Sequence, residues 1–187
     1  MLGNERFVWH DLSEFKDNQP VEETGKTFLE NARLKASQYA TRYGMWALAD
    51  DSGLEVDALD GAPGVTSARW AELNGTGKGD ADNNKTLLCQ LDHLPDEART
   101  ARFVCVLALA DPRGTIILTA RDTIEGRILR EGRGDNGFGY DPLFYVPQYE
   151  RTTAELLPHE KHQISHRGKA LAKLREMMRQ AGLLRTS

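Results

Sequence analysis

The chain has 187 residues, 40% of them hydrophobic and 28% charged, with a formal net charge of −4 and a pI near 5.8. That length and apolar content describe one domain with a core of its own and exclude a disordered chain. The acidic balance, with no block of Lys or Arg, argues against duplex nucleic acid as a partner, because phosphate neutralisation drives such binding. No signal peptide opens the sequence and no apolar run reaches membrane-spanning length, so a soluble, cytoplasmic protein is expected. Cys89 and Cys105 lack metal-ligand spacing and read as free thiols of a reducing compartment.

In chain order, residues 7–10 (Phe-Val-Trp-His) form a candidate strand. A polar stretch then leads to Glu22 and Glu23. Gly25-Lys26-Thr27 superficially suggests a phosphate loop, but that pattern needs a glycine where Pro20 stands. The acidic pair compensates a helix dipole, the simplest role for carboxylates just before a helix. The helix itself is marked by a Thr27/Glu30 capping box and a stop at Gly44. Phe28, Ala32, Ala36 and Tyr39 fall on one stripe, and Lys35 falls on it too. Such a lysine either snorkels to solvent or carries its ammonium into an anionic site.

Residues 46–54, Trp-Ala-Leu-Ala-Asp-Asp-Ser-Gly-Leu, read as a short buried strand ending in two carboxylates. Side chains alternate along a strand, so Asp50 and Asp51 face opposite ways. Gly53 is expected to turn the chain sharply, leaving one carboxylate at the strand mouth. There it is either a solvated turn residue or a metal ligand or general base. Residues 54–59 alternate as a second strand, 61–70 form a Gly/Pro loop, and 74–82 read as a mobile surface loop. A helix is expected over 83–91. Residues 102–110 form a strongly apolar strand, joined by a four-residue turn to a strand over 115–120, with a further strand at 124–129.

Residues 132–146 are the second informative stretch. Their glycines allow close backbone approach to a ligand. Phe138 and Tyr140 either offer faces for a base, a stack worth roughly 1–3 kcal/mol in nucleic-acid complexes, or tuck into the core. Asp141 can accept hydrogen bonds from a base or sugar. A last helix follows Ser165-His166-Arg167, with Leu171, Leu174, Met178 and Ala181 on one stripe. Lys161, His166 and Arg167 gather at its N-terminus, where free N–H groups favour an anion but extra cations oppose the dipole. Anion binding is the expectation. Strands and helices mix along one chain without repeats, which places the fold in the α/β or α+β class.

Five stretches together carry a resemblance: 21–36 (Val-Glu-Glu-Thr-Gly-Lys-Thr-Phe-Leu-Glu-Asn-Ala-Arg-Leu-Lys-Ala), 49–54 (Ala-Asp-Asp-Ser-Gly-Leu), 61–69 (Gly-Ala-Pro-Gly-Val-Thr-Ser-Ala-Arg), 137–142 (Gly-Phe-Gly-Tyr-Asp-Pro) and 164–168 (Ile-Ser-His-Arg-Gly). In this order, over about residues 7–182, the sequence resembles the inosine/xanthosine triphosphate pyrophosphatases. The resemblance implies an elongated α/β fold, with a mixed curved β-sheet flanked by helices and a central substrate cleft, in a homodimer. It implies Mg²⁺-dependent cleavage of non-standard purine triphosphates (ITP, dITP, XTP) to the monophosphate and pyrophosphate. Asp51 would activate water or hold Mg²⁺, sharing the metal with Glu22 or Glu23. Lys35 would bind the triphosphate and Ser52 would touch substrate. Phe138, Gly139, Tyr140 and Asp141 would hold the base, and Lys161, His166 and Arg167 would complete the base and phosphate contacts.

One departure stands out. The family opens with a strand and a Thr-Gly-Asn-x-x-Lys loop, and nothing ahead of Glu22 matches it. Met1-Leu2-Gly3 aligns instead with the end of the helix that follows that loop. The expectation is either a late-assigned start or a truncated chain; in the second case a central strand is lost, nearby strand edges are unpaired and activity is weak or absent. Two other functions compete with the pyrophosphatase: a catalytically impaired nucleotide-binding protein, and a pyrophosphatase for modified pyrimidine nucleotides like the septum-formation inhibitor family. The Phe-Gly-Tyr-Asp and Ser-His-Arg motifs argue against the last.

Overall fold

A computed structural model describes residues 7–184; the alignment of Met1-Leu2-Gly3 with a helix end lies outside the described residues. Helix α1 (Phe28–Tyr43) leads to strand β1 (Ala47–Val56), then short α2 (Trp70–Leu73) and α3 (Gly79–Leu91). Strands β2 (Thr100–Ala110), β3 (Ile116–Ile128), β4 (Phe144–Val146) and β5 (Arg151–Thr152) follow, and α4 (Pro158–Ile164) and α5 (His166–Gln180) close the chain. The fold is mixed α/β, with one five-stranded sheet in the order β1-β2-β3-β4-β5. β3 pairs antiparallel with β4 (Ile128 opposite Phe144), and β4 with β5 (Val146 opposite Arg151). No helix among the described residues is long and apolar enough to cross a membrane.

The chain divides into two compact units. One comprises the chain up to Asp51, Val106–Arg121 and the chain from Ala170 on; the other comprises Ser52–Cys105 and Asp122–Lys169. In the first, α1 buries Phe28, Ala32, Ala36 and Ala40, while Val106 to Ala110, Leu174 and Met178 are buried as well. In the second, a single cluster gathers Leu54, Val56, Leu87, Leu91, Phe103, Ile124, Ile128, Leu143, Phe144 and Val146.

Several expectations need correction. β1 does not stop at the two aspartates: it runs straight through Asp50-Asp51-Ser52-Gly53 to Val56, absorbing the separate strand expected over 54–59. Gly53 makes no left-handed turn. Leu54 and Val56, fully buried, extend the apolar alternation that keeps the strand going. Residues 7–10 form no strand, with Val8 and Trp9 81% and 48% exposed, because an extended segment without a ladder partner is not a strand. The two strands expected after the Asp111–Gly114 turn are one, β3. The segment expected to be a mobile loop over 74–82 is a tight turn running into α3, whose first turn holds Asp80 and Asp82. There Asn83 Oδ1 accepts from the Ala71 N–H at 2.8 Å and Asp82 from the Lys78 N–H at 2.8 Å.

Candidate active site

The first cluster belongs to the first unit and is built by α1. Thr27 caps the helix through Glu30, and the two residues bond each other reciprocally at 3.2 and 3.1 Å. Just upstream, Asn31 Oδ1 accepts from the Gly25 N–H at 2.8 Å. A Cβ on Gly25 would lie 2.6 Å from that oxygen, so glycine lets the chain double back over the helix. That return carries Glu23 to the buried stripe of α1. There the Lys35 ammonium donates to Glu23 Oε1 at 2.7 Å and to Asp51 Oδ1 at 2.8 Å. Lys35 does not snorkel: its side chain is only 16% exposed, and that of Asp51 only 9%.

One ammonium thus serves two carboxylates, and Asp51 is the less well served. Its Oδ2 is buried with no hydrogen-bond partner. Burial pushes the Asp51 carboxyl above the usual carboxylate range; the Lys35 hydrogen bond and charge pull it down, and the Glu23 charge raises it further. The Asn31 amide adds the weakest pull, from outside hydrogen-bond geometry. In Lys35, burial alone would lower the pKa, but the hydrogen bonds and charges of Asp51 and Glu23 outweigh it and the ammonium is held above its ordinary value. A buried carboxylate with a raised pKa and one free oxygen suits a proton acceptor.

The same pair fits magnesium. Magnesium in phosphate-handling sites takes one or two carboxylates and completes its shell with water and substrate oxygens. Glu23 and Asp51 are two such carboxylates, and the unpartnered Oδ2 has lone pairs to offer. Among the described residues no three His, Cys, Asp or Glu side chains cluster to hold an ion. Glu22 is exposed, which makes Glu23 the member of the acidic pair that the fold brings to Asp51.

The second unit contains a cavity of about 480 Å³, within the range of small-molecule sites. Ser52, next after Asp51 in β1, lines it together with Phe138, Gly139, Asp141, Lys161 and Arg167. Phe138 is 64% exposed and presents its ring, with Lys161 Nζ 5.2 Å and the Arg167 guanidinium 5.5 Å from the ring centre. Tyr140 is different. It is 4% exposed, belongs to the core cluster and donates its hydroxyl to the Ser67 carbonyl at 2.9 Å, so of the two rings only Phe138 offers a stacking face. Burial, and to a lesser degree the charge of Asp80, pushes that phenol far up.

Asp141 is buried beneath the loop. It accepts from the Thr153 hydroxyl at 2.7 Å and the Phe138 N–H at 2.8 Å, and it ion-pairs with Lys161. Its carboxylate therefore organises the loop from within. His166 begins α5, buried and stacked on Phe103 at 5.0 Å, and Ser165 Oγ accepts from the Gly168 N–H at 3.0 Å. Ser165, His166 and Arg167 do sit at that helix N-terminus, where serine uses one of its free N–H groups.

The sequence-predicted residues thus fall into two groups: Glu23, Lys35 and Asp51 in one cluster, and Ser52, Phe138, Gly139, Tyr140, Asp141, Lys161, His166 and Arg167 around one cavity. Sequence reading missed Asn31, Asp80, Asn84 and Thr153. Asn31 was detectable, since it shares the apolar stripe of α1 with Lys35 and is 1% exposed. Asp80 and Asn84 carried no signal: each bonds Gly139 from more than fifty positions away.

The Ham1 family model matches residues 1–177. The dITP/XTP pyrophosphatase of Exiguobacterium sibiricum is 54% identical over 174 residues, spanning 93% of this chain and 86% of the relative. That of Pseudomonas aeruginosa is 50% identical over 182 residues, 95% of this chain and 88% of the relative. Among solved structures, a HAM1 protein from Coxiella burnetii aligns with a TM-score of 0.82 at 47% identity, covering 90% of this chain and 84% of the other. The Staphylococcus aureus Ham1 protein gives 0.82 at 42% identity, covering 91% and 85%. With the acidic cluster, the aromatic cavity and these relatives agreeing, the chain belongs to the Ham1 family.

Proposed function

We propose that this chain hydrolyses non-standard purine nucleoside triphosphates (ITP, dITP and XTP) to the monophosphate and pyrophosphate, clearing them from the nucleotide pool. The observation that carries the reading is the buried Asp51 carboxylate, one oxygen held by Lys35 and the other unpartnered, in a chain of this family. Taken each within its own unit, the cavity has the chemistry to take a base and the Glu23–Lys35–Asp51 cluster the chemistry to take phosphate. Asp51 Oδ2 accepts the proton of the attacking water, one α–β phosphoanhydride bond breaks, and water's oxygen ends on one of the two products. Lys35 keeps Asp51 oriented and places a positive charge where negative charge accumulates. In the alternative role of Asp51, its carboxylate with that of Glu23 would hold Mg²⁺, which would neutralise phosphate charge when bound. Phe138 supplies a stacking face. Lys161 and Arg167 are donors only, so they match the acceptor of a 6-oxo purine and leave the amino group of adenine without a partner. The cytoplasmic location and the homodimer belong to the same proposal.

The test is pyrophosphate release from inosine triphosphate with Mg²⁺, with adenosine triphosphate and Asp51→Asn as controls. Turnover that prefers inosine and disappears in the variant supports the reading. Tight binding of inosine triphosphate without release would favour an impaired nucleotide binder.

A further inference from the structure

Phe138 is 64% exposed, so packing does not hold its ring; the backbone around it must. Its own N–H is held by Asp141 Oδ2 at 2.8 Å. The next N–H, on Gly139, donates to Asp80 Oδ2 at 2.6 Å, and the Gly139 carbonyl accepts from Asn84 Nδ2 at 2.9 Å. Both peptide groups bearing on Phe138 are therefore pinned by carboxylates. Residue 139 is fixed on both sides, in a left-handed conformation with φ near 62°. Asp80 and Asn84 are one helical turn apart on α3, and so present adjacent groups to one residue of the loop.

We propose that Asp80 and Asn84 are positioning residues for the base: they latch the Gly139 backbone and thereby set the Phe138 face against Lys161 and Arg167. This rests on reading the cavity as the purine site. Asn84 is not among the residues lining the cavity, and Asp80, which does line it, commits its Oδ2 to the Gly139 N–H, so neither needs to touch the nucleotide. The competing role for Asp80 is dipolar, since an acid in the first turn of a helix is favourable wherever its hydrogen bond goes. Asparagine separates the two roles: its amide oxygen still accepts from Gly139, but it carries no charge.

The experiment is calorimetric titration of the full chain with inosine monophosphate, alongside amide hydrogen exchange over residues 137–141, for Asp80→Ala, Asp80→Asn and Asn84→Ala. The latch predicts that Asp80→Ala weakens binding roughly tenfold and speeds exchange in the loop, as expected for losing a charge-assisted hydrogen bond. Asp80→Asn, which keeps the acceptor but not the charge assistance, should stay within about threefold on both readouts and Asn84→Ala fall between. In turnover of inosine triphosphate the loss should sit in KM rather than kcat. Unchanged affinity in Asp80→Ala, or Asp80→Asn as damaged as Asp80→Ala, overturns the proposal. A wild-type chain that binds inosine monophosphate but releases no pyrophosphate fails the hydrolase reading, and the variants still decide the latch.

Discussion

Asn31 and Lys35 interrupt the apolar stripe of α1, and each has a named reason to be there: one holds the Gly25 turn, the other stands between two acids. The arrangement is costly at Asp51, because a carboxyl raised by burial is a group the fold holds less comfortably when ionised than water does. For such a group the stability contribution is fully present below the unfolded value of 3.8 and is lost as pH rises through the folded one. Asp51→Asn should therefore melt no lower than the parent at pH 7 while losing roughly 10²–10⁴-fold in turnover, the usual worth of a general base. Calorimetry and pyrophosphate release check the two halves separately. Lys35 has the opposite balance: its raised pKa stabilises the fold below 10.5 and fades as pH climbs past the folded value. Lys35→Met leaves two carboxylates facing each other, and should cost about 1–3 kcal/mol at pH 7 by denaturant titration. The deficit should shrink as pH falls towards 4, where protonated carboxyls no longer need the ammonium.

At the scale of elements, the junction of α4 and α5 is set by one glycine. A Cβ on Gly168 would overlap the His162 carbonyl oxygen, so the first turn of α5 can close onto the end of α4 only without a side chain there. Gly168→Ala should force the two apart, costing roughly 1–3 kcal/mol as other overpacked sites do, and displace His166 and Arg167 from the cavity. Thermal unfolding and the affinity for inosine monophosphate would report it together. This junction also shows what was legible beforehand. α5 could be read because Leu171, Leu174 and Met178 repeat at helical spacing, and α1 because Thr27, Glu30 and Gly44 mark its ends. α4 was invisible, being seven mostly polar residues with no fully buried side chain and only Ile164 packed against the core. β1 was cut short because Asp-Asp-Ser-Gly has turn chemistry, whereas burial of Leu54 and Val56 decides its conformation. Most site residues could be named from motifs; their grouping, and the anchoring of Gly139 by α3, depend on long-range contacts that no local pattern encodes.

At the scale of the molecule, each unit has its own apolar core. The first buries small Ala32, Ala36 and Ala40 along α1 at 0% exposure beside larger side chains such as Phe28, Leu109, Leu174 and Met178. The second buries large side chains and, among them, Arg99 at 1% exposure. Burial holds that guanidinium below its ordinary pKa, the Arg130 charge lowers it further, and Asp96 and Asp92 only partly offset both. What keeps it there is geometry. Arg99 donates to the carbonyls of Leu91 at 2.6 Å, Ile128 at 2.8 Å and Leu129 at 2.9 Å, closing the C-terminal end of α3 onto the end of β3. Those three carbonyls lie in two segments, the end of α3 and the end of β3, and the planar fork reaches both at once. Arg99→Leu should cost roughly 3–5 kcal/mol, since apolar packing recovers part of the volume but removes all three donated bonds, the Leu91 carbonyl keeping a second donor in the Leu94 N–H. Arg99→Lys is the sharper variant. It retains the charge and a donor group, yet a single ammonium on a flexible stem cannot span the three acceptors. If the fork geometry matters, denaturant titration will find Arg99→Lys nearly as unstable as Arg99→Leu; a lysine variant close to the parent would mean that one bond, or the charge alone, is what the second unit needs.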